Sequence, residues 1–149
     1  TVSCTYAIGR IEPDFFEKGR NGRFFRIPVY SNTKLALLLF TQEFAERLQD
    51  KDITINASDP GIVSTNMITM QAWFDPLTDI LFRPFIKTPA QGAATAIHLA
   101  LSDEAKDRNG CCYANCKKRN VSERIRHHAQ QKQLWDDTEI LLRQKGIRF

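Results

Sequence analysis

Apolar patterns follow one another along this chain in the order helix, strand, helix, strand, helix, which predicts an α/β fold, the back half of an α/β sheet. Two segments anchor that order. Leu35-Ala36-Leu37-Leu38-Leu39-Phe40 is apolar nearly all round, which suits a helix covered on more than one side. Ile53-Thr54-Ile55-Asn56-Ala57 alternates with period two and is rich in β-branched residues, the pattern of a strand. The 149 residues suffice for one domain with a real core, and no repeat or low-complexity tract divides them.

The elements follow in order. Thr1-Val2-Ser3-Cys4 reads like the end of a strand entered midway, as expected of a truncated or processed chain. Residues 5–27 hold Gly9, Pro13, Gly19 and Gly22 without a clean period. A long loop is expected there, with a turn of helix around residues 14–17; loops of that length are usually functional. Pro28 suits the first turn of a helix expected over residues 29–49. Asp59-Pro60-Gly61 then ends the strand, because proline cannot donate to a ladder and glycine permits close backbone approach. Residues 66–87 mix Trp73, Phe74, Phe82 and Phe85 with Pro76 and Pro84, a composition suited to a helical flap over an apolar substrate. Thr88 as N-cap and Pro89 at the first position open a helix running to about Leu101. The turn pair Asn109-Gly110 precedes a short buried strand over residues 111–114, and a last helix is expected over residues 122–144.

Composition narrows the function. A hydrophobic fraction of 42% and a charged fraction of 26% are those of an ordinary globular protein. The longest strictly apolar run, residues 35–40, is far too short for a membrane span, and no signal peptide is visible. The net charge of +4 comes from scattered basic residues with acidic neighbours and no aromatic ladder, so no nucleic-acid partner is expected. Cys4, Cys111, Cys112 and Cys116, with His127 and His128, do not have the spacing of zinc ligand pairs, and no metal is expected. They read as structural thiols of a reducing compartment, the cytoplasm; His98, in an apolar run, reads as a packed helix residue.

Chemistry centres on Tyr30 and Lys34, four residues apart at the mouth of the apolar helix. A phenol titrates near pH 10, too high for easy proton exchange at neutral pH. An ammonium one helical turn away favours the phenolate and lowers that value, and residues at i and i+4 share a helix face. Tyr30 is therefore a candidate general acid for ketone reduction, or base for alcohol oxidation.

Tyr30-Ser31-Asn32-Thr33-Lys34 is followed, thirty residues after Tyr30, by Pro60-Gly61-Ile62-Val63-Ser64-Thr65. Further on come Asn109-Gly110-Cys111-Cys112-Tyr113 and Gln133-Leu134-Trp135-Asp136. Together these motifs resemble the active-site half of the short-chain dehydrogenase/reductases, above all their retinol-dehydrogenase-like members, and the resemblance spans essentially the whole chain. It implies the C-terminal half of a Rossmann-like doubly wound parallel sheet, with residues 1–149 a partial domain lacking the N-terminal dinucleotide-binding half. It implies hydride transfer between NAD or NADP and an alcohol or ketone, the substrate being small and apolar in view of residues 66–87. By the same resemblance Tyr30 is the proton donor and Lys34 binds the nicotinamide ribose. The backbone after Pro60 and Gly61, at Ile62 and Val63, would meet the nicotinamide carboxamide, and Thr65 the amide or phosphates. A homo-oligomer contact through residues 35–40 is one way to cover that helix.

Two departures stand out. The family's substrate-polarising serine falls at the second position of a Val-Ser-Ser run, and this chain reads Val2-Ser3-Cys4, a weak donor at that place. Ser3 would face the other way on a strand, and Thr5 would serve only with a register slip. The glycines, at 9, 19, 22, 61, 92, 110 and 146, form no pyrophosphate-binding cluster. At ~30 residues or more per βαβ unit, about 100 or more residues are expected upstream, and the isolated chain is expected to be inactive. Two readings from other classes stand beside the enzyme: a non-catalytic fragment or pseudo-enzyme serving as an interaction module, and a basic module for anionic ligands.

Overall fold

The computed structural model describes residues 1–13, 15–16, 26–63 and 86–147. Among them a 3-10 helix spans Cys4–Ile8, and five helices and strands of the expected types follow, joined by three short elements that the sequence pattern did not announce. In chain order they are α1 (Arg26–Arg47), β1 (Ala57–Asp59), α2 (Pro89–Leu101), α3 (Asp103–Lys106), β2 (Cys112–Ala114), β3 (Lys117–Arg119), α4 (Glu123–Arg126) and α5 (Gln131–Gln144). The sheet order is β1-β2-β3. β1 and β2 are parallel, pairing Ala57 with Cys112 and Asp59 with Ala114; β3 returns antiparallel, pairing Cys112 with Arg119. The architecture is thus α/β with a mixed sheet rather than a purely parallel one. A two-residue hairpin makes the return, with Asn115 and Cys116 both left-handed at φ 53° and 58°, the backbone that such tight hairpins require.

α1 begins three residues before the expected start. Pro28 becomes its third residue, still within the first turn, where an N–H has no intrahelical partner to lose. Leu35, Leu38 and Leu39 are buried, and with Val2, Tyr6, Ala57, Cys112, Val121, Ile125 and Leu134 they form the core between helix and sheet. Another side of the apolar helix meets α5, where Phe40 stacks on Trp135 with ring centroids 4.9 Å apart, though Leu37 and Phe40 both remain partly exposed. Gln131 docks the start of α5, its amide donating to Glu43 at 3.1 Å and to Glu46 at 3.0 Å.

The strand expected at residues 53–57 begins only at Ala57. Before it side chains interrupt the ladder around one backbone bond, Gly110 N–H to the Ile55 carbonyl at 2.9 Å: Ile55 donates its N–H to Asn109 Oδ1 and Cys111 donates to Asn56 Oδ1, both at 2.9 Å. Backbone pairing becomes regular only with Ala57 N–H to the Cys111 carbonyl, at 2.8 Å. Ile53 is left exposed. The single last helix expected over residues 122–144 is broken into α4 and α5; between them the His128 imidazole accepts the Gln130 N–H at 3.2 Å. The loop expected over residues 5–27 starts with the 3-10 helix and continues through a turn closed by Phe15 N–H to the Glu12 carbonyl. Asp14 and Glu17, where a turn of helix is expected, lie outside the described residues, as does the expected flap apart from Ile86 and Lys87. α2 matches its expected bounds and carries a full capping box between Thr88 and Gln91.

Candidate active site

The first residues of the chain link α1 to the sheet. Val2 donates its N–H to the Ser58 carbonyl at 2.9 Å and is buried. The chain leaves its extended path at Cys4, which opens the 3-10 helix and is exposed. The alternation that would set Ser3 and Cys4 on opposite faces of a strand therefore does not extend to Cys4. Thr5 Oγ1 is buried without a hydrogen-bond partner among the described residues. Gly9 then comes up against α1: a Cβ there would stand 2.5 Å from the Ser31 carbonyl oxygen. Arg10 donates its N–H to Asn32 Oδ1 at 2.8 Å. With Ser31 and Leu35 packed inward, Tyr30 is turned outward and is 44% exposed.

Lys34 lies beside it. Its Nζ stands 5.3 Å from the Tyr30 ring centroid and donates to the Thr1 carbonyl at 3.3 Å. The helix thus holds a phenol and an ammonium together at the protein surface, one helical turn apart.

The second group of expected site residues lies at the C-terminal end of β1, two residues beyond the Ser58 carbonyl that Val2 engages. Gly61 has φ +75°, a conformation that favours glycine, and donates its N–H to Asp59 Oδ1 at 2.9 Å. Pro60 is half-buried, Gly61 and Ile62 are exposed, and Val63 packs on Gly92 of α2. Thr65 lies outside the described residues. Four residues absent from the sequence-based site support this turn. Asp59 is buried and pairs with Arg119 at 3.3 Å. Lys87 donates its backbone N–H to the Ile62 carbonyl at 2.8 Å and its Nζ to Asn115 Oδ1 at 2.6 Å. Asp59 alone had a local signal, an Asx side chain two residues before a glycine.

Cys112 and Tyr6 are two of the groups in or beside the sheet that titrate away from their usual range. Burial, reinforced by the charge of Asp59, pushes the Cys112 thiol up to about 11, and burial also raises Tyr6. Neither suits neutral-pH proton transfer. The Cys111, Cys112 and Cys116 side chains are unpaired thiols, as is Cys4.

A Tyr-Lys pair on α1 and a glycine turn at the end of β1 are thus the two groups of expected site residues among those described. Residues 18–73 match the family model for short chain dehydrogenase. The chain is 36% identical over 147 residues to mouse (Mus musculus) retinol dehydrogenase 12, covering 99% of this chain and 45% of that protein. It is 36% identical over 116 residues to human (Homo sapiens) retinol dehydrogenase 14, covering 76% of this chain and 34% of that protein. A WW domain-containing oxidoreductase of Drosophila melanogaster is 32% identical over 120 residues, 80% of this chain and 29% of that protein. The chain spans less than half the length of these curated relatives. Among the described residues no helix is long and apolar enough to cross a membrane.

Proposed function

We propose that the whole protein is an NAD(P)-dependent short-chain dehydrogenase/reductase of the retinol-dehydrogenase-like kind, and that these residues form its catalytic, C-terminal half. The observation that carries the reading is the Tyr30–Lys34 pair, with Lys34 Nζ 5.3 Å from the phenol ring on an exposed helix face. The likeness to retinol dehydrogenases supports a small, apolar alcohol or ketone as substrate, and so does the aromatic composition of residues 66–87.

Tyr30 Oη gives its proton to the carbonyl oxygen of the ketone as the carbonyl carbon is reduced, or takes the hydroxyl proton when the alcohol is oxidised. Lys34 holds positive charge beside the phenol and offers its remaining N–H donors to the ribose hydroxyls. The nicotinamide, when bound, supplies or accepts the hydride. The residues present fit such a group: Gly61 and Ile62 are exposed at the end of β1, where a planar carboxamide would meet the backbone, and Gly61 lacks a Cβ that would crowd Lys87 Nζ at 3.1 Å. Thr65 completes the set toward the amide or phosphates. Leu37 and Phe40, exposed on α1, support a homo-oligomer contact through that helix, and the free cysteines fit a cytoplasmic site. Cys4, at the family's serine position, favours the second reading, a pseudo-enzyme acting as an interaction module.

Kinetics of the whole protein separate the two. Tyr30→Phe is expected to keep cofactor affinity while losing ~100-fold or more of turnover, since one proton and little volume are removed. Lys34→Ala is expected to weaken both cofactor binding and rate. Near-normal kcat in Tyr30→Phe would remove the assignment, and a wild-type protein that binds cofactor without turnover would leave the interaction module.

A further inference from the structure

Resting on the proposed contact between the nicotinamide carboxamide and the backbone after Gly61, we propose that Lys87 is a positioning residue that presets that backbone. Lys87 holds the turn in three ways. Its backbone N–H donates to the Ile62 carbonyl at 2.8 Å, and it bridges Val63 in parallel. Its stem lies across Gly61, where an added Cβ would meet Nζ at 3.1 Å, Cε at 3.2 Å and Cδ at 3.6 Å. Its ammonium is anchored on Asn115 Oδ1 at 2.6 Å, in the hairpin turn where Asn115 has φ 53°.

Beneath the turn, Asp59 accepts the Gly61 N–H at 2.9 Å and is itself fixed by Arg119 at 3.3 Å. Gly61 is therefore held between a buried carboxylate on one side and a lysine stem on the other. Both anchors run to the β2–β3 hairpin, so the turn is tied to the sheet and not merely to its own neighbours. A lysine serving only for solubility would extend into water; this one is half-buried, with its stem on a glycine and its charge spent on an amide oxygen. Binding to a preset turn avoids the cost of ordering it, which is how a residue without ligand contact raises affinity.

Lys87→Met and Lys87→Arg in the whole protein test this, with NADH and NADPH titrated by fluorescence and amide exchange followed by mass spectrometry. Lys87→Met is expected to raise the cofactor Kd about tenfold. It is also expected to speed exchange in the segment of residues 59–63 while α1 keeps its protection. Lys87→Arg, which retains stem and charge, is expected to recover most of both. In a protein that binds cofactor, a Kd for Lys87→Met within about twofold of wild type overturns the proposal. So does exchange that quickens equally in α1, the mark of general destabilisation. Should the wild type bind neither nucleotide, the dehydrogenase reading falls by itself. The exchange result then still decides the clamp: locally faster exchange upholds it and unchanged exchange overturns it.

Discussion

At Gly92 a single added methyl is expected to disturb the packing of the glycine turn. It is buried near the start of α2, and a Cβ there would stand 2.5 Å from Val63 Cγ2 and 3.2 Å from Cγ1. Two effects oppose each other in Gly92→Ala. Helix propensity favours alanine by about 0.8–1 kcal/mol. Overpacking disfavours it by ~1–3 kcal/mol. Whether Val63 can retreat decides the sign. Its branched side chain is stiff at χ1, and its backbone is fixed by the bridge to Lys87 and by the neighbouring bond from Lys87 to the Ile62 carbonyl. The clash should win, for a net loss of about 1 kcal/mol at the middle of those ranges. Val63→Ala removes both offending methyls, so the double variant should be more stable than the sum of the singles by ~1 kcal/mol or more. Urea unfolding of the whole protein in all four forms of the cycle measures this. As a comparison, Gly146→Ala, at φ +76° with nothing within 4 Å of the added methyl, should add independently to Val63→Ala. A neutral Gly92→Ala would refute the packing argument, as would additivity of the cycle within about 0.5 kcal/mol.

Cys4→Ser supplies the hydroxyl that the resembled family places there and is expected to raise kcat of the whole protein, by up to the ~100-fold of one well-aimed donor. Lost activity would give the thiol its own role. Alkaline stability should report Cys112, whose thiol is raised from 9.0 to about 11 by burial and by Asp59. A neutral form favoured in the folded state stabilises fully below the unfolded value near 9.0 and less as pH climbs through about 11. The urea midpoint should therefore fall across that window, and Cys112→Ala should flatten the slope. A midpoint that ignores pH in the wild type would show that the thiol meets water more freely than its burial implies.

What could be read from the sequence was whatever depends on neighbours along the chain. Thr88, Pro89 and Gln91 announce the start of α2 because a cap is made within one turn. Tyr30 and Lys34 share a face because helix geometry alone brings i to i+4. Asp59-Pro60-Gly61 stops β1 where proline and glycine require it. Strand onset was not legible in the same way. Ile53 and Ile55 have strand chemistry, yet Asn56 and Asn109, 53 positions apart in number, supply side-chain bonds that postpone the backbone ladder to Ala57. The break between α4 and α5 likewise involves a His128 side-chain bond that no apolar period registers.

The same limit shaped the view of the site. Its proposed reactive pair is local in the sequence; the support of its glycine turn is not. Arg119 reaches Asp59 across 60 positions and Asn115 reaches Lys87 across 28. Only the β2–β3 hairpin, entered through two left-handed residues, brings those partners to the end of β1. The antiparallel strand, unannounced by the helix-and-strand order, is thus what fixes the turn that the proposed cofactor would meet. Lys117, Lys118 and Arg119 read in the sequence as one more scattered basic run. In the fold Arg119 is set apart from the other two by a buried carboxylate, and that pairing, rather than net charge, gives the run a part in the site.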